Sequence, residues 1–250
     1  MPTMGRAVPA KPNTSSTNPT VPVSKRELLV TSDIADAATG LFLRRRPRTL
    51  VLAGGRTPRE LYLRLAAQKY DWDCVDIFFG DERCVAPDHP DSNFRMASEA
   101  LLSKVPARVH RMRGEDCDAT AYEEELRAVF GAGLPAFDLA FLGMGADGHT
   151  ASLFPGDPAL EETQRLVVRV ARPDHPRLTL TLPVLSASRL AVFLVSGEDK
   201  REALRRVLAE EDLPAARVAA RRVVIIADAA AAPRAIRAGP SAESAGPGWL

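Results

Sequence analysis

The sequence predicts an α/β fold, with a mainly parallel sheet covered on both faces by helices. Short apolar runs at 49–53, 75–79, 137–142, 190–195 and 223–227 are continuous rather than alternating, as expected of strands buried on both faces. Between them lie stretches with helical periodicity and N-cap residues, the pattern of strands joined by helical crossovers. Three of the runs end in glycine-containing loops, at Gly54-Gly55, Gly80 and Gly143. Ligands in parallel α/β sheets bind at such C-terminal strand ends.

Residues 1–24 are rich in Pro, Ser, Thr and Asn and nearly free of large apolar side chains. Such a segment buries too little to offset its ordering entropy, so a disordered extension is expected. It lacks Asp and Glu, as transit peptides do, but prolines at 2, 9, 12, 19 and 22 oppose the helix such a leader needs. A first strand is expected at 27–30. Ser32 or Asp33 then caps a helix to about residue 45, with Ile34, Ala37, Ala38, Leu41 and Phe42 on one face. The strand at 49–53 runs into Gly54-Gly55-Arg56-Thr57-Pro58, and Pro58 suits the first turn of a helix. The strand at 75–79 ends in Gly80-Asp81-Glu82-Arg83. Ser92 caps a helix to about residue 103, and another helix spans 119–130. The strand at 137–142 enters the glycine-rich stretch 143–156. Further strands are expected at 165–171, 178–182, 190–195 and 223–227, and a helix from Ser196-Gly197-Glu198 to about residue 208. This makes one compact domain over 25–232, followed by a flexible tail at 233–250.

A chain of 250 residues can bury a substantial core. The formal net charge of +1 gives no reason to invoke nucleic acid or an anionic membrane. No apolar run approaches the ~20 residues of a membrane-spanning helix. Cys74, Cys84 and Cys117 are odd in number and lack metal-ligand spacing, which predicts ordinary thiols in a reducing, cytoplasmic compartment. A monomer and a small homo-oligomer both remain open.

In the stretch 143–156, Gly143, Gly145 and Gly148 allow tight turns and close approach to a ligand. Into that loop the sequence places Asp147 and His149. An imidazole there can take a proton from water and return it to a leaving oxygen, and the carboxylate can orient the ring. Gly54-Gly55-Arg56-Thr57 stands where a strand hands over to a helix, so backbone N–H groups and the helix dipole favour a phosphate. A plain strand-to-helix turn would use the same glycines. This loop has neither the G-x-x-x-x-G-K-[ST] nor the G-x-G-x-x-G spacing, which sets nucleotides and NAD aside for it. Arg177 and Lys200 are candidates to complete a phosphate clamp. A lysine in a first helical turn opposes the dipole, so another reason for its presence is expected. Asp81-Glu82-Arg83 puts a guanidinium fork and two carboxylates at a strand end. His89, His110 and His175 scatter through polar loops without ligand spacing, and no metal is expected. Ser152 lacks the G-x-S-x-G context of a nucleophile and reads as packing.

Taken together, L-A-G-G-R-T-P at 52–58, F-F-G-D-E-R-C-V-A-P-D-H-P-D-S-N-F-R-M at 78–96, L-G-M-G-A-D-G-H-T-A-S-L-F-P-G at 142–156 and R-L-T-L-T-L-P-V-L at 177–185, followed by S-G-E-D-K ending at Lys200, carry a family resemblance. The chain resembles the 6-phosphogluconolactonases, which are grouped with the glucosamine-6-phosphate deaminase/isomerases, over about residues 26–228. The resemblance implies a three-layer α/β/α fold and cofactor-free hydrolysis of 6-phosphoglucono-1,5-lactone to 6-phosphogluconate. That reaction is the second step of the oxidative pentose phosphate pathway. It also implies that His149 is the general base, that Gly54, Gly55, Arg56 and Thr57 with Arg177 and Lys200 surround the phosphate, and that Asp81 and Arg83 line the pocket. Arg56 departs from the family, which more often has serine there.

Within the superfamily, the deaminases use a glutamate five residues after the histidine, where this chain has Phe154, and a tyrosine where it has Arg83. Phe154 has no titratable group, which favours lactone hydrolysis over opening of an amino-sugar ring. A deaminase or isomerase and a non-catalytic sugar-phosphate sensor on the same fold are the two alternatives.

Overall fold

The computed structural model describes residues 26–234; the expected extension at 1–24 and the tail beyond 234 lie outside them. In chain order the elements are β1 (Arg26–Val30), α1 (Ile34–Arg45), β2 (Thr49–Leu52), α2 (Arg56–Ala66), β3 (Asp76–Phe79), β4 (Asp81–Arg83) and α3 (Asn93–Ala100). Then come β5 (Arg108–Val109), α4 (Ala119–Phe130), β6 (Leu139–Gly143), β7 (Val167–Val170), β8 (Arg177–Leu180) and α5 (Leu182–Ser186). The last are β9 (Ala191–Val195), α6 (Arg201–Leu208), α7 (Pro214–Arg217) and β10 (Val223–Ala227).

Seven strands form one parallel sheet in the order β1-β10-β9-β6-β2-β3-β5. Their apolar runs supply its core: Leu50, Val51, Ile77, Phe78, Phe141, Val192 and Phe193 are each at most 1% exposed. Crossovers between parallel strands are right-handed, so the direction of travel along the sheet decides which face a helix covers. Steps through α1, α2 and α3 run towards β5 and put those helices side by side on one face, where α1 packs on α2 and α2 on α3. Steps through α4 and α6 run back towards β1 and cover the other. The layers are therefore α/β/α, as expected. Travel reverses between the neighbours β2 and β6, and a crevice opens at such a switch point.

Local caps match the sequence reading. Asp33 rather than Ser32 caps α1, its side chain accepting from the Asp36 N–H, and Ser92 caps α3 through the Arg95 N–H. The helix at 119–130 has its expected limits, with Asp118 as N-cap.

The architecture differs from the expectation around a second sheet. Asp81–Arg83 is a strand, and with β8 and β7 it forms a small antiparallel sheet in the order β4-β8-β7. The expected strand at 178–182 stops at Leu180, and Leu182 begins the short helix α5.

The reading of three ordinary thiols is also corrected. Cys84 and Cys117 form a disulfide, with 5.1 Å between their Cα atoms, and only Cys74 stays a free thiol among the described residues. Linear spacing carried no hint that the segment after β4 lies against the cap of α4. A cross-link spanning 33 residues restricts the unfolded chain by about 3–4 kcal/mol in the loop-entropy model. Cys84→Ser should lower the unfolding free energy by up to that amount in urea titrations without reductant. An unchanged midpoint would mean the bond contributes nothing.

Candidate active site

The site is assembled at the switch point from four strand ends. At the end of β2, the Ala53 N–H donates to the Tyr62 hydroxyl at 2.8 Å, and that hydroxyl donates back to the Ala53 carbonyl at 2.9 Å. Tyr62 is fully buried, and burial pushes its phenol up, so it stays a neutral partner that fixes the strand end on α2. Gly55 follows with φ +107° as the N-cap of α2, a conformation open to glycine. Gly54 is required for a different reason: a Cβ there would stand 1.9 Å from Asn93 Oδ1.

The next strand end brings Asp81, 6% exposed. Its carboxylate accepts from Ser152 Oγ at 2.7 Å and from Asn93 Nδ2 at 3.2 Å, and Asn93 Nδ2 also reaches the Asp81 carbonyl at 2.9 Å. Glu82, on the opposite side of β4, is buried and accepts from the N–H groups of Arg83, Asn93 and Phe94, each at 2.7 Å, and from Ser92 Oγ at 3.1 Å. Burial raises the Glu82 pKa, and the three backbone donors only partly offset that. Glu82 thus ties β4 to the start of α3 and places Asn93 beside Asp81.

From the end of β6 comes the catalytic candidate. His149 Nδ1 lies 2.6 Å from Asp147 Oδ1, and the His149 N–H donates to the same oxygen at 3.1 Å. Partial burial works against ionisation of Asp147, but these two hydrogen bonds and the imidazole's charge together hold its carboxyl below the usual range. Gly145 N–H donates to the His149 carbonyl at 2.8 Å and closes the loop. A Cβ on Gly145 would lie 2.0 Å from His149 Nδ1, so the ring packs directly on the glycine. On its other side the imidazole meets Phe154, with centroids 4.5 Å apart. The Arg172 guanidinium in turn lies 3.9 Å over the Phe154 ring.

Three cations complete the lining. Arg83 and Arg177 stand directly opposite one another in the β4–β8 register, an arrangement of like charges that destabilises a sheet unless something anionic lies between them. Arg83 Nη1 donates to the Asp91 carbonyl at 2.6 Å, and Arg177 Nη2 to Asp174 at 2.5 Å. The Nε atoms of both arginines are buried without a partner among the described residues, so both keep donor capacity. The His175 N–H, helped by Arg177, holds the Asp174 carboxyl down at about 2, which keeps that ion pair charged at neutral pH. Lys200, at the junction of a 3-10 turn and α6, bridges to Asp199 at 3.0 Å.

These groups surround a cleft of about 190 Å³. Of the residues singled out in the sequence, Gly54, Gly55, Asp81, Arg83, His149, Arg177 and Lys200 line it, and Asp147 stands behind His149. Arg56 and Thr57 do not: they face an adjoining cleft of about 650 Å³ with Asp33, Arg64 and Asp228. Helix α2 begins at Arg56, and both residues line that larger cleft and not the one at His149. Sequence reasoning missed Asn93 and undervalued Ser152, whose roles exist only through Asp81; the D-S-N stretch ahead of a helix was the available signal for Asn93.

The histidines are less scattered than expected. His89, Asp91 and His175 come together with one potential ligand atom each, all within 4.8 Å of one another. His175 Nε2 lies 3.1 Å from Asp91 Oδ2, while His89 Nδ1 accepts the Asp91 N–H at 3.1 Å and so is already engaged. His110 instead joins Asp76 and Glu125 at 2.9 and 2.8 Å, away from the cleft.

Residues 27–226 match the family model described as glucosamine-6-phosphate isomerases/6-phosphogluconolactonase. The chain belongs to that family. Among its relatives, a 6-phosphogluconolactonase from Synechocystis is 46% identical over 176 residues, covering 66% of this chain and 73% of the relative. Another from Mycobacterium tuberculosis is 38% identical over 216 residues, covering 76% and 87%. The solved 6-phosphogluconolactonase from Thermotoga maritima superposes with a TM-score of 0.74 at 32% identity, over 82% of this chain and 99% of that one. A monomeric glucosamine-6-phosphate deaminase, 20% identical with a TM-score of 0.68, shares the fold. Proteins named for two different activities thus share this fold.

Proposed function

We propose that this chain hydrolyses 6-phospho-D-glucono-1,5-lactone to 6-phospho-D-gluconate, the second step of the oxidative pentose phosphate pathway, using an imidazole and no cofactor. One observation carries the reading: His149, tethered to an ionised Asp147, faces a small cleft in which three cations stand against one carboxylate. Such a cleft suits an anionic ester whose transition state gains negative charge. No helix among the described residues is long and apolar enough to cross a membrane.

With Nδ1 donating to Asp147, Nε2 is the free base. The substrate phosphate rests on the Gly54 and Gly55 backbone, Arg177 and Lys200, with Arg56 and Thr57 flanking from the adjoining cleft. His149 Nε2 takes a proton from water as the water attacks the lactone carbonyl. Asp147 steadies the imidazolium. The Gly145 and Gly148 N–H groups already bond within the loop, to the His149 and Gly145 carbonyls, which favours Arg83 over those amides as the oxyanion donor. One such donor is worth about 2.7–4 kcal/mol. Collapse of the tetrahedral intermediate returns the proton from Nε2 to the departing ring oxygen. Asp81, held by Ser152 and Asn93, lines the cleft and positions the sugar hydroxyls.

Phe154 supports a lactonase over a deaminase. It occupies the position of the deaminase glutamate and packs against the imidazole, so no acid is available there for ring opening. Release of ammonia from glucosamine 6-phosphate at a rate matching lactone turnover would reverse that choice.

The phosphate clamp is tested by Lys200→Ala. It should raise KM for the phosphorylated lactone with little change in kcat, because the contact exists in ground and transition states alike. Turnover of unphosphorylated glucono-1,5-lactone should be unaffected. An unchanged KM, or equal effects on both substrates, would remove Lys200 from the clamp.

A further inference from the structure

Because the seven strands are parallel, their starts share one edge, and that edge gathers a second, strongly basic cleft of about 850 Å³. Six arginines line it: Arg45 and Arg46 from the end of α1, Arg48 before β2, Arg189 before β9, and Arg221 and Arg222 before β10. Among the described residues, only Glu27 and Asp138 oppose them. Strand length puts this cleft roughly 15 Å from the His149 site, at the other end of the sheet.

The charges are partly fixed. Arg222 forks onto Glu27 through Nε and Nη2 at 2.9 and 2.8 Å. Arg189 reaches Asp138 at 2.8 Å, and the N–H groups of Arg48 and Thr49 hold that carboxylate from behind at 2.9 and 3.1 Å. Arg45, Arg46, Arg48 and Arg221 form no ion pair among the described residues. Residues outside the described range add a single acidic side chain, Glu243. Arg44-Arg45-Arg46-Pro47-Arg48 is thus a basic run that the lactone site does not use. Converging like charges that the described residues do not neutralise are the electrostatic footprint of an anionic ligand.

We propose that this cleft binds a small oligophosphate, a chain of two or three phosphates, either free or carried by a nucleotide. Guanidinium forks match phosphate oxygens in pairs, and the volume lies in the range of small-molecule sites. The arginines converge on one concavity, not on a stripe that follows a nucleic-acid backbone. Among the described residues no aromatic side chain lines the cleft, so they offer no stacking platform for bases, and recognition rests on the phosphates.

Calorimetry on the full chain at moderate salt, with inorganic tripolyphosphate and adenosine triphosphate as probes, tests this. Tripolyphosphate should bind this cleft roughly tenfold or more tighter than orthophosphate. Comparable binding of the two probes would point to the free ion as the natural source, and tighter binding of adenosine triphosphate to a nucleotide. The triple variant Arg45→Gln/Arg48→Gln/Arg221→Gln should weaken tripolyphosphate by roughly tenfold or more, while lactone turnover stays at the wild-type level. Arg127→Gln, which removes an exposed charge elsewhere, and Lys200→Ala, which alters the other anion site, should leave that binding unchanged. Absence of binding, equal affinity in the triple variant, loss in Lys200→Ala, or tighter binding of a single-stranded oligonucleotide would each overturn the proposal. The binding outcomes do not depend on the lactonase reading.

Discussion

His149→Ala is expected to lower kcat for the lactone by about 10²–10⁴ while leaving the fold in place, since a positioned acid–base group contributes that much. The side chain sits at the cleft, its ring touching Phe154 and the Gly145 backbone without holding the core together. Asp147→Asn should cost less, because it removes the partner that fixes the proton on Nδ1 but leaves the base. The double variant should be no slower than His149→Ala alone, as expected for two groups that act as one unit. Additive losses in steady-state kinetics would show that Asp147 acts on the substrate independently.

Gly145→Ala should be nearly as damaging although it removes nothing. Gly145 does not have a positive φ, so alanine is compatible with the backbone. Its methyl group would stand 2.0 Å from His149 Nδ1 and 2.5 Å from Asp147 Oδ1, so both side chains must move. A misplacement of about 1 Å costs on the order of 10² in rate. The expected result is a kcat reduced by about that factor with a melting temperature close to wild type. A wild-type kcat would show that His149 does not need this position for turnover.

The inner strands of the central sheet were legible because they are largely buried on both faces, so runs such as 50–53 and 223–227 are apolar throughout and end at recognisable glycine or capping residues. The short strand Asp81–Arg83 was not, because three charged residues have no apolar alternation and are extended only through pairing with β8. Strand β5, two residues long, depends likewise on its neighbour β3. For the site, the glycine loops, His149 with Asp147, and the separate cations Arg83, Arg177 and Lys200 could be named from residue chemistry and loop position. Their mutual geometry could not. The face-to-face placement of Arg83 and Arg177, the placement of Arg56 and Thr57 in the adjoining cleft, the Cys84–Cys117 bond, and the hold of Asn93 and Ser152 on Asp81 are all consequences of long-range packing.

The central claim is tested most directly by the rate at which the wild-type chain hydrolyses freshly generated 6-phospho-D-glucono-1,5-lactone, followed as acid release against the spontaneous reaction. Turnover well above the spontaneous rate, in the range of about 1–10³ s⁻¹ common to enzymes, is the predicted result. A folded chain that binds 6-phosphogluconate yet leaves the lactone to open at its spontaneous rate would contradict it and favour a sugar-phosphate sensor.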